Sequence, residues 1–305
     1  MASDSIIIVG KQCFISVDCE RLKFEFSGSD KKFVAACDIA AVIVAEKAVT
    51  FTASVLKVLA EHGAVLLSVD DAFLPVALAL PMNQNMQGAK RPHQQAKYID
   101  SEHSRKWWNT IIKSKIYGQA SVIKDYDKKT FLNLEYIARQ IKSGDENNSE
   151  GNAAKIYWKS FFKITDRDID CRDKQGATDI VNGCLNYGYA VIRSAVARSL
   201  AGSGYCLNFG VGHCRRDNPL NLAEDFIEPF RFIAEKTVLK ILQKHQDENI
   251  LSSIIKKELI SDILGTEIFI NNCNYRLFSG INFVVENFGT VLDDPRRKLV
   301  LPNQF

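Results

Sequence analysis

This 305-residue sequence predicts a two-domain α+β protein, with a small N-terminal β-rich domain followed by a larger all-α C-terminal domain. Three observations point there. The first 80 residues are dense in short β-branched or alternating runs. No proline falls between Pro92 and Pro219, and that stretch places apolar residues at helical spacing. Between the two lies a polar segment bounded by Pro81 and Pro92 and holding Asn83, Gln84, Asn85, Gln87 and Gly88, the composition of a linker. The division is therefore residues 1–80, a linker over 81–92, and residues 93–305.

Ser5–Val9 and Cys13–Asp18 read as strands, with Gly10-Lys11-Gln12 between them as a hairpin signal. Leu22–Phe26 alternates apolar and charged residues, the period of a half-buried strand. Ala40–Ala45 is continuously apolar, so it predicts a strand buried on both faces. Thr50 or Thr52 then opens a helix with Val55, Leu56, Val58 and Leu59 on one face, ended by His62-Gly63. Ala64–Val69 and Val76–Leu80 return to strand. Beyond the linker, Ile111, Ile112, Ile116 and Tyr117 recur at helical spacing, as do Leu132, Leu134, Ile137 and Ile141. Asp145–Gly151 is a polar loop feeding a helix at Glu150. Asn182–Leu200, residues 250–264 and residues 279–290 predict further helices. Pro219 suits a first turn with Asn218 as N-cap, leading into a helix over Leu222–Arg231.

Hydrophobic residues make up 46% and charged ones 25%, which excludes a disordered chain. No apolar run reaches the ~18 residues of a membrane span. The opening run Ile6–Val9 follows Asp4 rather than a basic cluster, so no secretory signal is read and the cytoplasm is expected. Eight cysteines without a CxxC pair predict reduced thiols. Cys206, His213 and Cys214 match no structural zinc spacing. The net charge of +3 is uneven: residues 1–85 carry −3 and the remainder +6, so a polyanion partner should prefer the C-terminal part.

One cluster bears chemistry. Asp225 and Glu228 are three apart and Glu224 and Glu228 four apart, so either pair shares a helical face, where like charges repel unless a cation turns the repulsion into coordination. His213 lies just before them, after the glycine-rich Gly204–Gly212 stretch, and Arg215 and Arg216 follow it. Carboxylates to hold a cation beside arginines to hold a phosphate suit metal-assisted phosphodiester chemistry. Acidic residues favoured by the helix dipole are the alternative. Glu150 is a second candidate, preceding Gly151, Ala153, Ala154 and the aromatics Tyr157, Trp158, Phe161 and Phe162. Lys113, Lys115, Lys128, Lys129, Arg139, Lys142, Lys155, Lys159 and Arg296-Arg297-Lys298 are basic residues of the second domain, a solvated face unless they converge on nucleic acid. Trp107-Trp108 offers base stacking or core packing.

Five fragments in order resemble the CRISPR-associated adaptation integrases, the first Cas protein, over essentially the whole chain. They are Glu61-His62-Gly63-Ala64-Val65 with Phe73-Leu74-Pro75; Glu150-Gly151 with Ala153-Ala154 and Tyr157-Trp158; Asn182 with Leu185-Asn186-Tyr187-Gly188-Tyr189; the Gly204, Gly210 and His213 spacing; and Asp225-Phe226-Ile227-Glu228-Pro229-Phe230-Arg231. The size is closest to members encoded beside a single-protein RNA-guided effector nuclease. The sequence departs at Leu207, where many relatives carry proline.

The resemblance implies a Mg²⁺ or Mn²⁺ site built from Glu150, His213 and Glu228, with Asp225 as adjacent support. It implies a metal-dependent DNA endonuclease and integrase in which the 3′-hydroxyl of an incoming fragment attacks a phosphodiester at the repeat boundary. Arg215, Arg216 or Arg231 would steady the phosphate, although Arg231 could equally pair with Glu228. The implied partners are double-stranded DNA (prespacer and CRISPR repeat), a second copy joined through the β modules, and the second Cas protein, in an assembly of four and two subunits. Two other classes stay open on the residues alone: a non-catalytic DNA-binding scaffold, and a metal hydrolase of small phosphoesters.

Overall fold

A computed structural model of the chain describes residues 5–28, 31–69, 75–79, 89–141, 148–169, 171–174 and 177–302. The chain divides into two compact units: residues 1–93 with 197–206, and residues 94–196 with 207–305.

The first unit holds β1 (Ser5–Val9), β2 (Cys13–Asp18), β3 (Arg21–Phe26), β4 (Lys32–Ala35), β5 (Ile39–Val44), β6 (Val49–Phe51), α1 (Ala53–Glu61), β7 (Val65–Val69) and β8 (Pro75–Ala79). They form two four-stranded sheets, ordered β1-β5-β7-β8 and β4-β3-β2-β6. The hairpin expected at Gly10–Gln12 does not form. β1 is apolar over Ile6–Val9 and pairs in parallel with β5, while β2 belongs to the other sheet. The true hairpin comes one connection later, where Cys19 and Glu20 take φ of 47° and 59° between β2 and β3, as a two-residue primed turn requires. β5 is buried over Ile39–Ile43, as a central parallel strand should be. Thr52 is the N-cap residue of α1, whose Val55, Val58 and Leu59 are buried, whereas Leu56 turns outward. Gly63 ends the helix at φ +68°, a conformation that suits its lack of Cβ. The core gathers Val9, Ile15, Leu22, Phe24, Ile39, Val42, Leu59 and Leu66.

Residues 81–88 of the expected linker lie outside the described residues, as do Phe73 and Leu74. Its last three residues are helical, because α2 runs over Lys90–Tyr98 and Pro92 stands in its first turn, where a missing N–H costs nothing. Helix therefore begins before residue 93.

The second unit is built on α3 (Glu102–Ile123), α4 (Lys128–Gln140), α5 (Ser149–Thr165), most of α6 (Ile180–Gly202), α7 (Asn221–Ile227), α8 (Arg231–Lys244), α9 (Ser253–Gly265) and α10 (Leu277–Asp293). The first part of the polar loop expected over Asp145–Gly151 lies outside the described residues, and Ser149 already opens α5. The expectation of an all-α unit needs one correction. β9 (Glu267–Ile270) and β10 (Cys273–Arg276) pair antiparallel. Asn271 and Asn272 take φ of 49° and 64° between them, and Ile268 and Ile270 alternate inward. No helix among the described residues is long and apolar enough to cross a membrane.

Two further boundaries differ from expectation. α7 begins at Asn221, and the Asn218 side chain instead accepts from the Leu220 N–H at 2.9 Å, an Asx turn rather than a cap. Leu222–Arg231 is not one helix, because Glu228–Phe230 tightens into a 3-10 turn. Pro229 has no N–H to continue the ladder and would clash with the carbonyl one turn back.

Caps place the helices that carry the site. Asp127 accepts from Thr130 N (3.0 Å), Thr130 Oγ1 (2.7 Å) and Ser160 Oγ (2.8 Å), which tie the start of α4 to α5. These bonds hold its carboxyl down at about 2. Asp127→Ala is expected to cost about 1–2 kcal/mol at pH 7. That difference from wild type should be full above the ordinary carboxylate range and close as pH falls through about 2, read as melting temperature against pH.

Candidate active site

Four elements of the second unit bring charged side chains together. Glu150 sits in the first turn of α5 and Glu228 in the 3-10 turn after α7. Both reach one ammonium on α3: Lys115 Nζ lies 2.5 Å from Glu150 Oε1 and 2.8 Å from Glu228 Oε2. Arg231, the first residue of α8, closes on Glu228 from the other side, with Nε 2.8 Å from Oε2 and Nη2 3.0 Å from Oε1. Arg231 also stands 3.8 Å from Glu224, which binds Arg193 at 2.6 Å. The guanidinium of Arg231 lies 4.7 Å from the Tyr189 ring centroid.

Glu228 is 3% exposed. Burial alone would raise its carboxyl, but the charges of Arg231 and Lys115 outweigh it and hold the group at about 2. The same two carboxylates keep Lys115 above the ordinary lysine value despite its own burial.

Beside this cluster stands a second one. Asp225 is fully buried on α7 and takes the chain of residues 211–213 around itself. It accepts from the backbone N–H groups of Val211, Gly212 (3.1 Å) and His213 (2.9 Å), and from His213 Nδ1 at 2.7 Å. With Nδ1 donating, the neutral ring carries its lone pair on Nε2. The bond to Asp225 raises the imidazole above its ordinary value against the effect of burial, and the charges of Glu228 and Glu224 add to the rise. Burial pushes the Asp225 carboxyl up, while the imidazole and backbone donors pull it down. The loop is close-packed: a Cβ at Gly210 would collide with the His213 carbonyl, and one at Gly212 with the Trp108 ring. Trp108 meets His213 edge-on, with ring centroids 5.3 Å apart. Trp107 is core, edge-on to Phe288.

The expected site residues thus assemble in two pairs, Glu150 with Glu228 through Lys115, and His213 with Asp225. Among the described residues no three His, Cys, Asp or Glu side chains stand at metal-binding spacing in this conformation. Arg215 and Arg216 are exposed in the loop, whereas the Arg231 fork is committed to Glu228, the second of its two expected roles. Arg193 is not singled out by sequence, and Lys115 is read there only among the basic residues of a solvated or nucleic-acid-facing surface, whereas its side chain is 11% exposed between the two carboxylates. The signal for Lys115 was its place at four-residue steps between Ile111 and Gln119, on the buried stripe of α3.

Comparison with known proteins decides the family. The profile described as CRISPR associated protein Cas1 matches residues 6–252. The chain belongs to the Cas1 family. The CRISPR-associated endonuclease Cas1 of Neisseria meningitidis serogroup C (strain 8013) is 35% identical over 269 residues, 87% of this chain and 85% of that protein. Among solved structures, a casposase bound to integration product superposes with a TM-score of 0.81 at 19% identity, over 97% of this chain and 92% of that one. A Cas6-RT-Cas1–Cas2 complex gives a TM-score of 0.78 at 16% identity, over 97% of this chain and 35% of that one.

The asparagine and tyrosine positions of this Cas1 chain support the site from behind. Asn182 and Asn186 on α6 accept from Arg172 at 3.0 and 2.5 Å. Gly188 lets α6 approach α8, where a Cβ would lie 3.0 Å from that of Ala234. Glu235, fully buried one turn beyond Arg231, accepts from Tyr157 (2.6 Å) and Tyr189 (2.7 Å). The tyrosine that lies under Arg231 is thereby fixed from below.

Proposed function

We propose that this chain is a divalent-metal-dependent DNA endonuclease and integrase of CRISPR adaptation, joining the 3′-hydroxyl of an incoming DNA fragment to a phosphodiester of the repeat. The observation that carries the reading is the Glu150–Glu228 pair closed on one cation beside an Asp225-oriented His213. Two carboxylates that already share an ammonium are a donor set for Mg²⁺ or Mn²⁺, and His213 Nε2 is the third donor. Bound there, the ion would polarise a non-bridging phosphate oxygen and favour the deprotonated attacking hydroxyl. The chain's residues do the rest. Glu150 and Glu228 would hold the ion, Asp225 fixes the tautomer and orientation of His213, and Arg231 keeps the Glu228 carboxylate aimed and ionised. Arg215 and Arg216, exposed in the loop, would meet phosphates.

The name of the Neisseria relative, an endonuclease, supports the nuclease reading at 35% identity. The complex that pairs a Cas1 with Cas2 supports the second Cas protein as partner, in the proposed assembly of four and two subunits built on homodimers. DNA would follow the basic helical part, and binding should weaken with salt. The test is strand transfer of a labelled short duplex into a supercoiled plasmid carrying the repeat, with the second Cas protein and Mn²⁺. Glu150→Ala and His213→Ala should each lose on the order of a hundredfold in rate while retaining DNA binding. Full activity in either variant refutes the site.

A further inference from the structure

Lys115 projects from α3 with its side chain 11% exposed, and its ammonium touches both carboxylates assigned above to the metal. We propose that Lys115 is a positioning residue, a resident cation that holds Glu150 and Glu228 together until a divalent ion takes its place. This rests on the metal-site reading.

Distances make the exchange local. The ammonium stands 2.5 and 2.8 Å from its two oxygens, whereas a Mg²⁺–oxygen contact is about 2.0–2.1 Å. Replacement therefore asks each oxygen to move by well under an ångström. The lysine sets the spacing of the pair in advance, and without a cation between them two ionised carboxylates would repel.

The bonding of Glu228 determines which side chain yields. Its Oε1 accepts from Arg231 Nη2, and its Oε2 accepts from both Arg231 Nε and Lys115 Nζ. The arginine grips both oxygens in a planar fork and is held in turn by Glu224 and the Tyr189 face. Lys115 holds Oε2 through one contact at the end of a flexible four-carbon stem. The acceptor site open to exchange on Oε2 is thus the one Lys115 occupies. Two positive centres cannot share it, so metal and ammonium compete.

The experiment is Mn²⁺ titration by calorimetry on the full chain, with melts in the presence and absence of Mn²⁺, for wild type, Lys115→Met and Lys115→Arg. Lys115→Met should melt lower without metal, bind Mn²⁺ at least tenfold more tightly and gain more from it in melting temperature than wild type. Lys115→Arg, which keeps the charge and can fork between the carboxylates, should bind more weakly than wild type. A crystal structure of the Mn²⁺-loaded wild type should show the Lys115 ammonium out of contact with both carboxylates. If wild type binds Mn²⁺ and Lys115→Met binds no more tightly, or the loaded structure keeps the ammonium in place, the exchange is overturned while the metal site stands. If none of the three proteins binds Mn²⁺, the metal site falls and the exchange with it. Should Lys115→Met not fold, Lys115→Arg decides: weaker binding supports the exchange, and equal or tighter binding overturns it.

Discussion

Glu228→Ala is expected to abolish strand transfer, by on the order of a hundredfold or more, and to lower stability by about 2–3 kcal/mol. The two losses have separate causes. The first follows from removing a donor to the proposed ion. The second follows from what remains: Lys115 and Arg231 are 11% and 23% exposed at the side chain, and both lean on the Glu228 carboxylate. Removing one partner of a buried ion pair is more costly than the pair itself is worth, because the other charge stays out of water. Lys115 keeps Glu150, and Arg231 keeps a 3.8 Å approach to Glu224, which limits the loss. Urea melts read the stability and the plasmid assay reads the chemistry. Normal transfer by Glu228→Ala would remove Glu228 from the reaction. Lost transfer with an unchanged melt would show that the ion pairs contribute nothing to folding.

Asp225→Ala should be comparably damaging by a different route. This carboxylate accepts the three backbone N–H groups of residues 211–213 and the imidazole. Alanine leaves those donors facing a small apolar hole, at about 1–3 kcal/mol for each group left unsatisfied and out of reach of water. A net loss of about 3 kcal/mol is expected, together with faster hydrogen exchange at the amides of Val211, Gly212 and His213. The imidazole also loses the partner that sets its tautomer, so Mn²⁺ affinity should fall by roughly 10–100-fold. Asp225→Asn keeps an acceptor oxygen and should recover part of the stability but less of the metal affinity. Unchanged exchange at those three amides in Asp225→Ala would contradict the account.

The strand-rich and helical halves were legible in the sequence because their periodicities differ, two against 3.6, and because the central parallel strand β5 is continuously apolar. The pairing of β1 was not legible. A short loop such as Gly10–Gln12 reads as a hairpin whether or not its two flanks share a sheet, and only the parallel partner thirty residues later decides it. In the site, Glu150, His213, Asp225 and Glu228 were each visible as residue types in a suggestive order. Their grouping was implied by the family resemblance and not by spacing, because the contact between Glu150 and Glu228 runs through Lys115 from a third helix. A lysine among several in the same domain reads as surface until its neighbours Ile111, Ile112 and Ile116 are seen to be fully buried around it. The sequence reading runs one helix through Pro229, although its missing N–H marks the break there, and Glu228 and Arg231 meet across the tightened turn.

The pairing of β1 with β5 also governs how the chain emerges from the ribosome. Ile6, Ile7, Ile8 and Val9 are synthesised well before their hydrogen-bonding partner, which ends at Val44 and is flanked by β7, which ends at Val69. Until those segments follow, an apolar strand waits with both edges open, while the β2–β3 hairpin can already close on itself. The nascent first unit is therefore most prone to pairing with a neighbouring chain in that interval, before any part of the helical second unit has been translated.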